Sequence, residues 1–185
     1  MRLFAALTPS AAALDQLGGA IAGATTARGL RWMPRQSWHV TLVFLGEIAD
    51  DHLGALLTGL DEAATRHTAM TLRLSGAGTF PRNARSARVL WAGLAGDTAP
   101  LTALATSLEE TARDHGVAVQ RRPYVPHLTV ARCPRPVDLT RARAGLAALD
   151  TVSWQAGEVE LIHSNLGGEP RYRTIAAWPL RITEN

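Results

Sequence analysis

The chain has 185 residues, 46% hydrophobic and 19% charged, with a formal net charge of +3. That length suits one domain or two intimate lobes with a real core, and no apolar run reaches membrane-spanning length. One cysteine, Cys133, leaves no disulfide framework and no cysteine-based metal site within one chain, so a reducing, cytoplasmic setting is the simplest expectation. All 19 basic residues are arginine. Genomic base composition explains that more readily than phosphate binding does, so the charge permits a phosphate-bearing partner without demanding one.

The opening MRLFAALTPSAAALDQL has a short apolar run interrupted by Asp15, and reads better as a strand and helix start than as a signal peptide. RLFAAL (2–7) is strand-like, and 9–24 has helical apolar spacing. HVTLVFLG (39–46) is a strand, 50–67 opens on two acids as a helix should, and 70–80 alternates as a strand. A polar, basic linker fills 81–88. The pattern then restarts: a strand at 89–94, a helix at 99–116 ended by Gly116, a strand at 125–133, a helix at 137–150, and strands at 154–166 and 172–180.

The restart has a fixed offset. The pair His127 and Thr129 lies 88 residues after the pair His39 and Thr41. The same shift carries Leu3 onto Trp91, Pro9 onto Asp97, Asp50 onto Asp138 and Thr71 onto Val159, each within matching elements. The period is far longer than that of a solenoid. It predicts one domain, 1–185, of two similar lobes, approximately 1–87 and 88–185, about a pseudo-two-fold axis.

Alternate side chains of a strand share a face, so each histidine points the same way as its threonine. The pattern H-x-T is weak alone, but two copies at equivalent points of a duplication are not. An imidazole exchanges protons near neutral pH, and a threonine hydroxyl can donate to an anionic oxygen. Two such pairs facing each other across a cleft suit in-line displacement at phosphorus: one histidine takes a proton from the attacking group and the other gives one to the leaving oxygen. Spacing alone leaves open which does which. Imidazolium and hydroxyls can stabilise the phosphorane charge without a metal, and no carboxylate or cysteine lies at repeat-equivalent positions to complete a metal-ligand set.

The segments RWMPRQSWHVTLVFLGE, VLWAGL, RPYVPHLTVAR and SNLGGEPRYRTIAAWPL, with the opening MRLFAAL, resemble the 2H phosphoesterases, and within them the LigT-like RNA 2′,3′-cyclic phosphodiesterases. The resemblance implies a bilobal α+β fold, with two antiparallel-rich sheets lining a central cleft and helices outside. It implies hydrolysis of RNA 2′,3′-cyclic phosphate ends, tRNA fragments among them, to 2′-phosphomonoesters without a cofactor. A reversible 2′–5′ RNA joining reaction is a further implied activity. His39 would be the proton donor and His127 the proton acceptor. Thr41, Thr129 and Arg132 would bind the phosphate. Arg132 is odd-spaced from His127, so a bulge or strand end must return it to the cleft face. Its repeat partner is Phe44, readable as a core residue or a base-stacking one. The alternatives are a phosphodiesterase of another small cyclic nucleotide or 2′–5′ oligonucleotide, and a non-catalytic nucleotide-binding module. Monomer is the default expectation.

The remaining candidates carry less. His163 reads as structural or rim, and His52, His67 and His115 as solvated. Arg31, Arg35, Arg121 and Arg122 read equally well as the rim of the cleft and as solvated loop residues. Trp32, Trp38 and Tyr124 read as core. Pro34, Pro123 and Pro126 make rigid loops into both motifs.

Overall fold

In the computed structural model, which describes residues 1–24, 26–165, 167–168 and 170–182, strands and helices alternate as β1 (Arg2–Leu7), α1 (Ala11–Ala22), β2 (Arg31–Trp32), β3 (Val40–Glu47), α2 (Asp50–Thr65), β4 (Met70–Phe80), β5 (Ala87–Gly96), α3 (Thr98–Asp114), β6 (His127–Val137), α4 (Thr140–Gly145), β7 (Trp154–Ala156), β8 (Glu158–Ser164) and β9 (Tyr172–Pro179). The boundaries follow local chemistry. The Ser10 side chain accepts from the Ala13 N–H and caps α1. Asp50 and Asp51 sit at the positive end of α2. Gly116, at φ +78°, takes the left-handed conformation that ends α3.

The chain is α+β, and among the described residues its strands form one antiparallel path, β7-β4-β5-β6-β3-β1-β8-β9, with β2 flanking β6. The path is two sheets in all but one bridge, since β3 and β6 meet only at Val40 opposite Leu128. Its far ends cannot spread apart. β7 pairs with β4 and β8 with β1, yet only Gly157 separates β7 from β8. After β9, Arg181 exchanges backbone bonds with His67 and Ala69 beside β4. The two sheets are therefore curled toward each other around a cleft.

The division in space is not the division in sequence. β4, from the first half of the chain, joins β5 of the second, and β8, from the second, joins β1 of the first. One sheet thus holds β2 and β4 from the first half of the chain, and the other holds β8 and β9 from the second.

β1 shows how the layers are built. Leu3, Ala5 and Leu7 enter the main core with Leu17 of α1, Leu56 and Leu60 of α2, and Leu101, Leu104 and Leu108 of α3. Phe4 and Ala6, on the opposite face, form a small separate cluster with Ile162, against which Tyr172 packs. The helices cover the first face. At about 1.5–3 kcal/mol for each fully buried leucine, that face anchors the strands and leaves the other free for a site.

Three elements differ from expectation. The helix at 137–150 shortens to Thr140–Gly145, because the chain must turn after Gly145 to bury Leu146 and Leu149 and to bridge Asp150 to Ser75. The strand at 154–166 is two strands, because its parts pair with different sheets on either side of Gly157; Leu166 lies outside the described residues. The two-residue β2 is too short to leave a periodic signature.

Candidate active site

His39 immediately precedes β3 and His127 opens β6, so the single Val40–Leu128 bridge brings the two motifs together. His39, Thr41, His127, Thr129 and Arg132 all line one cleft of about 740 Å³. Thr41 stands opposite Ala6 of β1, and Thr129 opposite Trp91 of β5.

A bulge lies just past each threonine. Ala6 pairs with Thr41 but Ala5 with Val43, leaving Leu42 as the extra residue. Trp91 pairs with Thr129 but Leu90 with Ala131, leaving Val130. Leu42 and Val130 are again 88 residues apart. An extra residue reverses the alternation, which returns Phe44 and Arg132 to the cleft face. Phe44 is accordingly not a core residue: it is 61% exposed and forms part of the cleft wall.

Each histidine is seated between aromatic rings. His39 lies 4.7 Å from Phe4 and 5.4 Å from Tyr172, centroid to centroid. His127 lies 4.9 Å from Phe80 and 6.0 Å from Trp91. Their hydrogen bonds differ. His127 Nδ1 is 2.7 Å from the Val125 carbonyl oxygen. A carbonyl only accepts, so Nδ1 donates and Nε2 keeps its lone pair. Among the described residues, no protein group fixes the His39 ring in this way. Burial pushes the His39 pKa down to about 4, with Arg132 and then His127 adding to the shift. Burial also lowers that of His127, and Arg132 adds to this, while the Val125 hydrogen bond opposes it. Burial and Arg132 thus disfavour the charged form of both rings in the unliganded cleft.

Of the other arginines, Arg31 stands opposite Arg132 and lines the cleft. Arg35 instead pairs with Asp15 of α1 at 2.8 Å. Arg121 and Arg122 line a separate depression against α3. Trp38 is buried and donates to the Met33 carbonyl at 3.0 Å. The Tyr124 hydroxyl donates to the Thr41 carbonyl at 3.1 Å, tying the loop before β6 to β3. His163 is not part of the cleft lining. His115 is not simply solvated: its Nδ1 lies 2.9 Å from the Thr111 carbonyl, and its ring packs where Gly59 has no side chain.

Sequence reasoning missed Arg2, Phe4, Ser164, Arg171 and Tyr172, which also line the cleft. Arg2 and Phe4 share the face of Ala6 in β1, so period-2 alternation could have found them once Ala6 was placed opposite Thr41. Tyr172 enters from the last strand, and no local signal points to it. Among the described residues, no three of His, Cys, Asp and Glu gather as a metal site, and no helix is long and apolar enough to cross a membrane.

The model of the 2′-5′ RNA ligase superfamily matches residues 9–168, and the chain belongs to that superfamily. It is 31% identical over 154 residues to a Geobacillus stearothermophilus protein named RNA 2′,3′-cyclic phosphodiesterase, an alignment covering 80% of this chain and 47% of that one. The chain thus spans about half the length of that relative. Among solved structures it is similar to the TT0787 protein of Thermus thermophilus, with a TM-score of 0.82, 25% identity and complete coverage of both chains. It is also similar to Escherichia coli LigT crystallised with 3′-AMP, with a TM-score of 0.78, 27% identity and 97% coverage of both chains.

Proposed function

We propose that this protein is a metal-independent RNA 2′,3′-cyclic phosphodiesterase that opens the cyclic phosphate at an RNA 3′ end to a 2′-phosphomonoester. The observation that carries the reading is the pair of H-x-T motifs, one from each sheet, lining a single cleft with Arg132 and, among the described residues, no acidic side chain. The names of the Geobacillus relative and of the LigT complex with 3′-AMP support it.

His127 is the base. Its Nδ1 proton is committed to Val125, so Nε2 takes the proton of the attacking water as the water oxygen bonds to phosphorus. His39, on the other side, gives a proton to O3′ as the P–O3′ bond breaks, leaving the phosphate on O2′. Thr41 and Thr129 donate hydrogen bonds to the non-bridging oxygens, and the Arg132 guanidinium offsets the charge that builds there. With an RNA 5′-hydroxyl in place of water, the same displacement joins two RNA ends through a 2′–5′ linkage, and its reversal cleaves that linkage.

We further assign the chain as one domain built by duplication of segments 1–87 and 88–185, acting as a monomer on RNA ends such as tRNA fragments. Its one thiol, Cys133, is buried, which suits the reducing cytoplasm. The test is to incubate wild-type protein with a short RNA ending in 2′,3′-cyclic phosphate, in excess EDTA, and to read the product by phosphorus NMR. A 2′-phosphomonoester is expected. A 3′-phosphomonoester would overturn the regiochemistry, and an intact cyclic phosphate would reduce the cleft to a nucleotide-binding module.

A further inference from the structure

The cleft contains more cationic groups than one phosphate needs. Arg2, Arg31, Arg132 and Arg171 line it, and among the described residues no Asp or Glu does. Among the described residues, none of the four makes an ion pair with an acid.

The strand register sorts the four into two groups. Arg31 and Arg132 stand opposite each other on β2 and β6, past Thr129. β3 and β6 are antiparallel and meet at Val40–Leu128, so β3 leaves that bridge in the opposite direction. Along β3 and its partner β1 the cleft face runs from Thr41 and Ala6, through Phe44 and Phe4, to Arg2. Arg2 is four residues from Ala6, about 13 Å at strand rise, with the Phe4 and Phe44 rings between. Arg171 belongs to the same end. Tyr172 pairs with Ser164, Ser164 follows His163, and His163 pairs with Leu3 beside Arg2. The Arg171 carbonyl accepts from Asn165 N–H at 2.8 Å, and its guanidinium lies 5.6 Å from the Tyr172 ring centroid.

By strand rise, Arg2 lies at an offset from the histidine end of the cleft that a nucleoside can bridge, and Arg171 stands beside Tyr172, whose ring is 5.4 Å from that of His39. An RNA that ends in a 2′,3′-cyclic phosphate has no chain beyond that end, so its next phosphate is the one on the 5′ side of the terminal nucleotide. We propose that Arg2 and Arg171 form a second anion subsite that binds this 5′-phosphate, making the cleft selective for the end of an RNA chain over a free nucleoside cyclic phosphate. This rests on the RNA-end reading above and names which part of the substrate that reading leaves unassigned.

The experiment compares adenosine 2′,3′-cyclic phosphate with its 5′-phosphorylated form as substrates, and 2′-AMP with adenosine 2′,5′-bisphosphate as ligands. Both comparisons are made at one ionic strength. Wild-type protein should favour the 5′-phosphorylated member of each pair by about tenfold or more, the value of a charge-assisted contact. In Arg2→Gln/Arg171→Gln that ratio should fall toward one, whereas Arg121→Gln/Arg122→Gln, outside the cleft, should retain it. A wild-type ratio near one, or a ratio unchanged in the Arg2/Arg171 variant, would overturn the subsite. If neither cyclic phosphate turns over but the bisphosphate still binds tenfold tighter through Arg2 and Arg171, the subsite stands and the hydrolytic reading fails.

Discussion

In the proposed mechanism, His39 must carry a proton that its surroundings oppose. Burial, Arg132 and His127 together push its pKa to about 4, which disfavours the imidazolium at pH 7 until a ligand arrives. A phosphate between the histidines supplies the missing counter-charge and offsets Arg132, which favours the imidazolium. The sign follows from linkage: if the complex holds more protons than the free protein, affinity strengthens as pH falls. Binding of 2′-AMP should therefore take up close to one proton at pH 7, and tighten by up to about tenfold per pH unit between pH 8 and 6.5. Calorimetry in buffers of different ionisation enthalpy reads this directly, and His39→Gln should abolish the buffer dependence. Binding heats that are the same in every buffer for the wild type would contradict it. At this scale much was legible beforehand, because H-x-T fixes a shared face through period-2 geometry alone. The proton balance was not legible, because it depends on burial and on an arginine 93 positions away in the chain.

The bulged strands are the elements that make the site. Without the extra residues Leu42 and Val130, Phe44 and Arg132 would face the helices. The parity of Arg132 exposed the need for a bulge, but a bulge has no composition of its own, so its position came only from the register. β5 carries a second device. Gly78 of β4 stands opposite Trp91, and a Cβ at Gly78 would collide with the indole. Trp91 in turn lies 6.0 Å from His127 and 5.4 Å from Phe80. Gly78→Ala should displace the indole and, through it, His127. The expected result is a fall in kcat of about tenfold or more, the order of a misplaced general base, with KM little changed and the circular dichroism spectrum retained. A variant with wild-type kcat would show that Trp91 does not position His127.

For the whole molecule, the 88-residue offset predicts a repeat, but nothing in the sequence said that the two halves trade strands. Exchange is a matter of which edge pairs with which, and β4 and β8 have similar apolar patterns. It follows that neither segment can complete a sheet by itself: 1–87 has β4 without β5, and β1 without β8. Each segment expressed alone should give the collapsed amide NMR spectrum of an unfolded chain, and mixing the two should restore dispersion. A dispersed spectrum from 1–87 alone would contradict the exchange. The same architecture draws the two H-x-T motifs from different sheets, and the proposed mechanism requires both histidines. The most direct test of that claim is single-turnover hydrolysis of an RNA 2′,3′-cyclic phosphate by wild type, His39→Ala, His127→Ala and the double variant, with EDTA present. Each single variant should lose at least about a hundredfold, and the double should lose little more than the worse single, as residues acting as a unit do. A single variant that retains wild-type rate, or losses that multiply fully in the double, would contradict a paired-histidine displacement.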